Sequence, residues 1–93
     1  MAKTVALKVV TRDGVALEDE VTSVVAPGEI GYLGVLHNHA PLVTTLRAGK
    51  LSWQAADGRR KTVMIGAGLL EISRNRLTVL TDTVSAPASA PSR

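Results

Sequence analysis

The chain has 93 residues, 45% of them hydrophobic, and a formal net charge of +3 from 11 basic and 8 acidic residues. This length allows one domain, and the lack of cysteine excludes disulfides and thiolate metal sites. No apolar run approaches the roughly 18 residues that span a bilayer, so we expect no direct membrane insertion. One Trp, one Tyr and no Phe, with a scattered positive charge, argue against nucleic-acid binding.

The first third of the chain contains two predicted strand segments. Val5, Leu7 and Val9 alternate with other residues and share one face of a first strand. In the next segment, residues 15–25, the acidic run at 18–20 interrupts the apolar pattern. This interruption predicts either a β-bulge or a change of sheet.

The rest of the chain is divided by turn residues into further short segments. Residues 39–46 include Pro41 and a Val-Thr-Thr run, so their helix propensity is poor and no helix is predicted. Asp57-Gly58 predicts a hairpin turn between two β-like segments. Arg74-Asn75 predicts a second hairpin, because Asn tolerates a positive φ.

Many short strands at this spacing are typical of a sandwich or barrel. We therefore predict an all-β domain of short antiparallel strands over residues 1–84. Residues 85–93 consist almost entirely of Ala, Pro and Ser, and we predict a disordered tail there. The dense basic group Arg59, Arg60 and Lys61 is expected to be a solvated turn.

The two histidines, His37 and His39, raise the possibility of a metal site. On a strand they would point to the same side, and with Gly31 they match the opening of the cupin metal motif. The Glu ligand of that motif would fall at Val43 or Thr44, and the chain has no third histidine. A small cupin-like metal-binding barrel using His37 and His39 is the alternative interpretation. Our main prediction includes no catalytic residue, no metal and no cofactor.

Two blocks of sequence carry a more specific pattern. The first runs from residue 27 to 49 and contains Pro27-Gly28-Glu29, Gly31, Leu33-Gly34-Val35, His39-Ala40-Pro41-Leu42 and Arg47-Ala48-Gly49. The second contains Gly66-Ala67-Gly68-Leu69-Leu70-Glu71-Ile72 and Leu77-Thr78-Val79-Leu80-Thr81-Asp82-Thr83. In order and spacing, from about residue 5 to 84, these blocks resemble the N-terminal β-sandwich domain of the epsilon subunit of F-type ATP synthases.

The resemblance implies a ten-stranded flattened β-sandwich or barrel and a non-catalytic role in the rotor. A subunit of this family links the gamma subunit to the membrane c-ring in the central stalk during proton-driven ATP synthesis. It is a peripheral part of the complex at the cytoplasmic face of the bacterial inner membrane. Because this chain stops after the sandwich, we expect it to lack the family's inhibitory C-terminal helical hairpin and to bind no nucleotide.

The resemblance also implies contact residues. Those expected in a loop that faces the c-ring are Glu29, Gly31, Tyr32, Leu33, His37 and Asn38. His39 and Pro41 are expected to contact the stalk or support that loop. Tyr32 stands where the family usually has an acidic residue, and Glu29 could supply the missing charge. The face toward gamma is expected to include Leu7, Val9, Val43 and Leu46.

Overall fold

The computed structural model describes residues 3–86, which form nine β-strands and no helix. The strands are β1 (Val5–Thr11), β2 (Gly14–Gly28), β3 (Gly31–Leu36), β4 (Leu42–Leu46), β5 (Gly49–Ala55), β6 (Arg60–Ile65), β7 (Gly68–Ser73), β8 (Arg76–Thr81) and β9 (Val84–Ser85). The all-β prediction is confirmed. Of the predicted tail, Ser85 belongs to β9, and the part from residue 87 onward lies outside the described residues.

The strands form two layers that share β2. Strands β4, β7, β8 and β1 and the first half of β2 make the first layer. Strand β3, the second half of β2, and β5, β6 and β9 make the second layer. All pairings within residues 3–86 are antiparallel except that of β1 with β8, which is parallel. Local turn signals cannot reveal this exception, because it joins the two ends of the chain.

Strand β2 explains the acidic interruption in the sequence. Its 15 residues pair with β1 up to Val21 and then with β3 and β5, and the register on β5 shifts between Val21 and Ser23. Both predicted features, a bulge and a change of sheet, therefore occur just after the acidic residues. Counting β2 once gives nine strands, whereas counting its two halves separately gives the ten that the resemblance implied.

The core lies between the two layers and consists of aliphatic side chains with one Trp. Its largest fully buried members are Leu7, Leu51, Leu70, Ile72, Leu77, Val5, Val9, Val21, Val24, Val35 and Val79. The expectation that Leu7, Val9 and Leu46 face a partner is wrong, because they are 1%, 0% and 3% exposed. Alternation in a sequence shows which residues share a face but not which face is inside.

Both predicted hairpins are confirmed. Asp57 and Gly58 lie in the turn between β5 and β6, where Gly58 has φ 93° and the Asp57 carboxylate accepts the Arg59 N–H at 3.0 Å. Arg74 and Asn75 connect β7 to β8 with φ values of 53° and 60°. Two successive positive φ values match a type I′ hairpin turn, whose twist suits the flanking strands.

A polar network fastens the two layers together on one side. The Trp53 indole N–H donates to Asp19 Oδ2 at 2.9 Å, and Lys61 Nζ donates to the same oxygen at 3.2 Å. The Trp53 hydrogen bond and the Lys61 charge lower the pKa of Asp19, although partial burial opposes them. Lys61 is thus engaged with Asp19, while the neighbouring Arg59 lies 3.7 Å from Asp57. The basic group therefore does not form one continuous patch.

Candidate functional site

The residues predicted to face the c-ring lie at the two ends of β3. Glu29, Gly31 and Tyr32 are at its beginning, and His37 and Asn38 follow its end. At about 3.3 Å per residue, the six-residue strand holds these two groups roughly 17 Å apart. The structure therefore divides the predicted set into two separate surfaces.

The first surface is the tip of the β2–β3 hairpin, a two-residue turn made by Glu29 and Ile30. Ile30 is fully exposed to solvent. The Glu29 carboxylate is held back toward β4, because Thr45 Oγ1 donates to its Oε1 at 2.5 Å. Gly31 completes the turn with φ 141°, a value that side chains disfavour. The tip thus presents an apolar side chain with a fixed carboxylate beside it.

Tyr32 extends the tip and lies over the turn between β4 and β5. Its side chain is 62% exposed, and its hydroxyl would lie 3.5 Å from a Cβ placed on Gly49. The Arg47 N–H donates to the Pro27 carbonyl at 2.8 Å and fixes the β4–β5 turn against β2. Leu33, the next residue of β3, is half-buried and packs against the core.

The second surface is the loop that follows β3. Asn38 has φ 65°, and its N–H donates to Asn75 Oδ1 at 2.7 Å while Asn75 Nδ2 donates to Asn38 Oδ1 at 3.3 Å. His39 Nδ1 lies 2.7 Å from the Ala40 carbonyl oxygen, and Pro41 is exposed. This loop is therefore clamped to the β7–β8 hairpin by a pair of asparagines.

The cupin-like interpretation needs a third metal ligand near His37 and His39. Within residues 3–86, no group of three His, Cys, Asp or Glu residues lies close enough to hold a metal ion. Both imidazoles are half-exposed and belong to the loop between β3 and β4. Nothing in this part of the structure favours metal chemistry over a structural role for the loop.

An apolar row crosses the outer face of the first layer and is absent from the contact residues predicted above. Direct strand pairing places Leu69 opposite Leu80, Leu80 opposite Val10, and Val10 opposite Val15. Leu69, Leu80 and Val15 are 42%, 46% and 53% exposed. The sequence signal for the row is a pair of adjacent large apolar residues at this level in each of β1, β7 and β8, for example Val79-Leu80. Because successive side chains of a strand point to opposite faces, one residue of each pair lies on the outer face. We call Leu69, Leu80, Val10 and Val15 the apolar row.

Thr45 connects the apolar row to the hairpin tip. It lies opposite Leu69 at the end of the row, and its hydroxyl donates to Glu29. Val43, two residues earlier on the same outer face, is 66% exposed. The row and the tip are therefore neighbouring parts of one side of the molecule.

The described part of the chain is thus a small β-sandwich with an exposed apolar row and an exposed hairpin tip, the features of an interaction domain. Residues 4–87 match the model of the family described as ATP synthase, Delta/Epsilon chain, beta-sandwich domain. The chain belongs to this family, which confirms the resemblance that the sequence blocks indicated.

Curated relatives are similar over most of this chain. The ATP synthase epsilon chain of Desulforamulus reducens is 45% identical over 83 residues, covering 89% of this chain and 62% of the relative. The ATP synthase epsilon chain of Moorella thermoacetica is 40% identical over 77 residues, covering 83% of this chain and 58% of the relative. The chain therefore spans about six tenths of the length of these relatives.

Solved structures share the fold at low sequence identity. A chain in the Euglena gracilis mitochondrial ATP synthase OSCP/F1/c-ring structure superposes with a TM-score of 0.83 at 20% identity, over 88% of this chain and 52% of that one. A chain in the Tetrahymena thermophila mitochondrial central stalk/c-ring structure gives a TM-score of 0.74 at 10% identity, over 88% and 66%. In the part of this chain that the structure describes, no helix is long and apolar enough to span a membrane.

Proposed function

We propose that the protein is a non-catalytic central-stalk subunit of an F-type ATP synthase that links the gamma subunit to the c-ring during proton-driven ATP synthesis. Family membership supports this role, as do relatives that carry the name ATP synthase epsilon chain. The observation that carries the proposal is the apolar row, because a solvated sheet face would normally present polar side chains there.

The gamma subunit is the proposed partner of the apolar row. Lys8, Glu18, Glu71 and Thr78 form the adjacent cross-strand row on the same face, continued by Val43. An apolar centre beside a polar rim is the usual anatomy of a protein–protein interface. Burying one half-exposed leucine such as Leu80 contributes about 1 kcal/mol to binding.

The c-ring is the proposed partner of the hairpin tip. Ile30 and Tyr32 supply contact area, and the Tyr32 hydroxyl supplies one hydrogen bond. Glu29 and Arg47 provide one charge of each sign beside them. Because Thr45 hydrogen-bonds Glu29 and also borders the apolar row, one short path of contacts connects the two proposed interfaces.

The proposed location is peripheral. The protein is held by its partners as a peripheral part of the complex at the cytoplasmic face of the bacterial membrane. We propose no nucleotide, cofactor or metal for this domain. Its contribution is mechanical, since it fixes the stalk to the ring so that rotation of one turns the other.

Titration calorimetry with the gamma subunit of the same complex tests the proposal. We expect one-to-one binding that Leu80→Lys weakens at least about tenfold, because a charge would be buried in the interface. Leu36→Lys is the matched control, since Leu36 is an exposed leucine on the second layer and should leave the affinity unchanged. Absence of binding to folded gamma, or equal losses in both variants, would refute the proposed interface.

A further inference from the structure

Strand β3 lies at an edge of the second layer. Within residues 3–86 it pairs with β2 alone, so one of its edges faces no other strand. Its sequence, Gly31 to Leu36, contains no charged residue and no proline. Natural edge strands normally carry such residues because they prevent pairing with another chain.

Hairpin geometry shows which backbone groups lie on this edge. Gly28 and Gly31 close the two-residue turn, and the closing pair of such a hairpin is hydrogen-bonded. Alternate residues of β3 therefore point their N–H and C=O groups away from β2, and these residues are Tyr32, Gly34 and Leu36. The Leu36 carbonyl already accepts the His39 N–H at 3.1 Å, so pairing at Leu36 relies on its N–H.

Among the residues that the structure describes, none fills the space beside β3. A groove of about 550 Å³ runs between β3 and β4, with Leu33, Leu42 and Thr44 among its lining residues. The side chains of Tyr32 and Leu36 are each 62% exposed on the outer face of the strand. A second strand can therefore approach the edge without displacing part of the core.

We propose that two copies of this chain associate by pairing their β3 strands antiparallel around a two-fold axis at Gly34. This register places Tyr32 of each copy opposite Leu36 of the other, and such aromatic–aliphatic cross-strand pairs are favourable. Gly34 suits the axis because its surroundings are open, the nearest atom to a Cβ there being 4.0 Å away.

Charge is compatible with this arrangement. Strand β3 carries no charged side chain, so no like charges meet along the paired strands. Each copy contributes mainly the six residues of β3, so the contact is smaller than a standard specific interface. We therefore expect a weak dimer with a dissociation constant on the order of 100 μM.

This association goes beyond the proposed stalk function and does not depend on it. Because Tyr32 belongs both to the dimer contact and to the proposed c-ring contact, the two exclude each other. The dimer is a form of the free chain that dissociates when the hairpin tip is occupied.

Sedimentation equilibrium of the full chain between about 10 μM and 1 mM tests the proposal, because that range brackets the expected dissociation constant. Wild type should change from monomer to dimer, and Leu36→Lys should weaken association at least about tenfold by placing lysines in the contact. Leu80→Lys is the control, because Leu80 lies on the other layer, and it should dimerise as wild type does.

The register has its own test, since the chain contains no cysteine. Gly34→Cys should form a covalent dimer with a short thiol-to-thiol crosslinker, whereas Ala67→Cys, at an exposed loop position, should not. A chain that stays monomeric at 1 mM overturns the proposal. Association that Leu80→Lys weakens and Leu36→Lys does not also overturns it, and neither result bears on gamma binding by the wild-type chain.

Discussion

Replacing Asp19 with alanine should destabilise the domain by removing the acceptor shared by Trp53 and Lys61. The indole N–H of Trp53 would lose its partner while the side chain stays 4% exposed. A buried donor without an acceptor costs about 1–3 kcal/mol. Because the Asp19 side chain is 23% exposed, water can reach part of the vacated space, so we expect a loss of about 1.5 kcal/mol.

Urea denaturation followed by tryptophan fluorescence measures this loss directly, because Trp53 is the single Trp of the chain. For a domain of this size the loss corresponds to a melting temperature lower by about 6–12 °C. Asp82→Ala is the control, since the Asp82 side chain is 78% exposed and 3.9 Å from Arg12. That variant should stay within about 0.5 kcal/mol of wild type.

Wild type and Asp19→Ala should also differ in how their stability depends on pH, and the direction of this difference can be predicted. The folded-state pKa of Asp19 lies below its unfolded value near 3.8, chiefly because of the Trp53 hydrogen bond and then Lys61. The contribution of the carboxylate is therefore complete above about pH 4 and is lost as the pH falls through the folded-state value. The stability difference between wild type and Asp19→Ala should shrink below pH 4. Two results would refute this reasoning. One is that Asp19→Ala loses no more stability at pH 7 than Asp82→Ala does. The other is that the stability difference between wild type and Asp19→Ala grows in acid.

Two further substitutions test the turn and packing arguments by thermal unfolding. Asn75→Ala should lower the free energy of unfolding by about 2 kcal/mol, because it removes the hydrogen bonds to Asn38 and strains a positive φ. Asn75→Gly should lose only the hydrogen bonds, since glycine accepts a positive φ. Equal losses in the two variants would show that backbone strain contributes nothing. Gly68→Ala should cost at least about 3 kcal/mol, since its Cβ would lie 1.8 Å from the Leu80 carbonyl oxygen. Gly34→Ala, in open space, should cost less than about 1 kcal/mol. Similar melting temperatures for Gly68→Ala and Gly34→Ala would show that the close approach of Gly68 to Leu80 does not matter.

The fold was largely predictable because its signals are local. Turn residues such as Asp57-Gly58 and Arg74-Asn75 set the hairpins through their φ preferences, and alternation defined the strands between them. The family pattern then supplied the overall arrangement. What local signals could not supply was the pairing of β1 with β8, since it depends on a contact between the ends of the chain.

The candidate surfaces were less predictable, because periodicity does not show which face is covered. Leu7 and Val9 were assigned to the partner face and are core residues, while Val10 and Leu80 form the exposed row. The predicted ring-facing group mixed Glu29 with Asn38, which are close in sequence but belong to opposite ends of a strand. Recognising this separation required knowing that the intervening residues are extended.

The parallel pairing of β1 with β8 has a consequence for how the chain folds. Leu7 lies beside Leu77, so β1 gains its parallel partner β8 only after 70 further residues have been made. On the ribosome, β1 can form its hairpin with β2, but the first layer stays open until β8 emerges. Because pairing at long sequence separation is slow, we expect this small domain to complete folding only once β8 has emerged, in milliseconds to seconds.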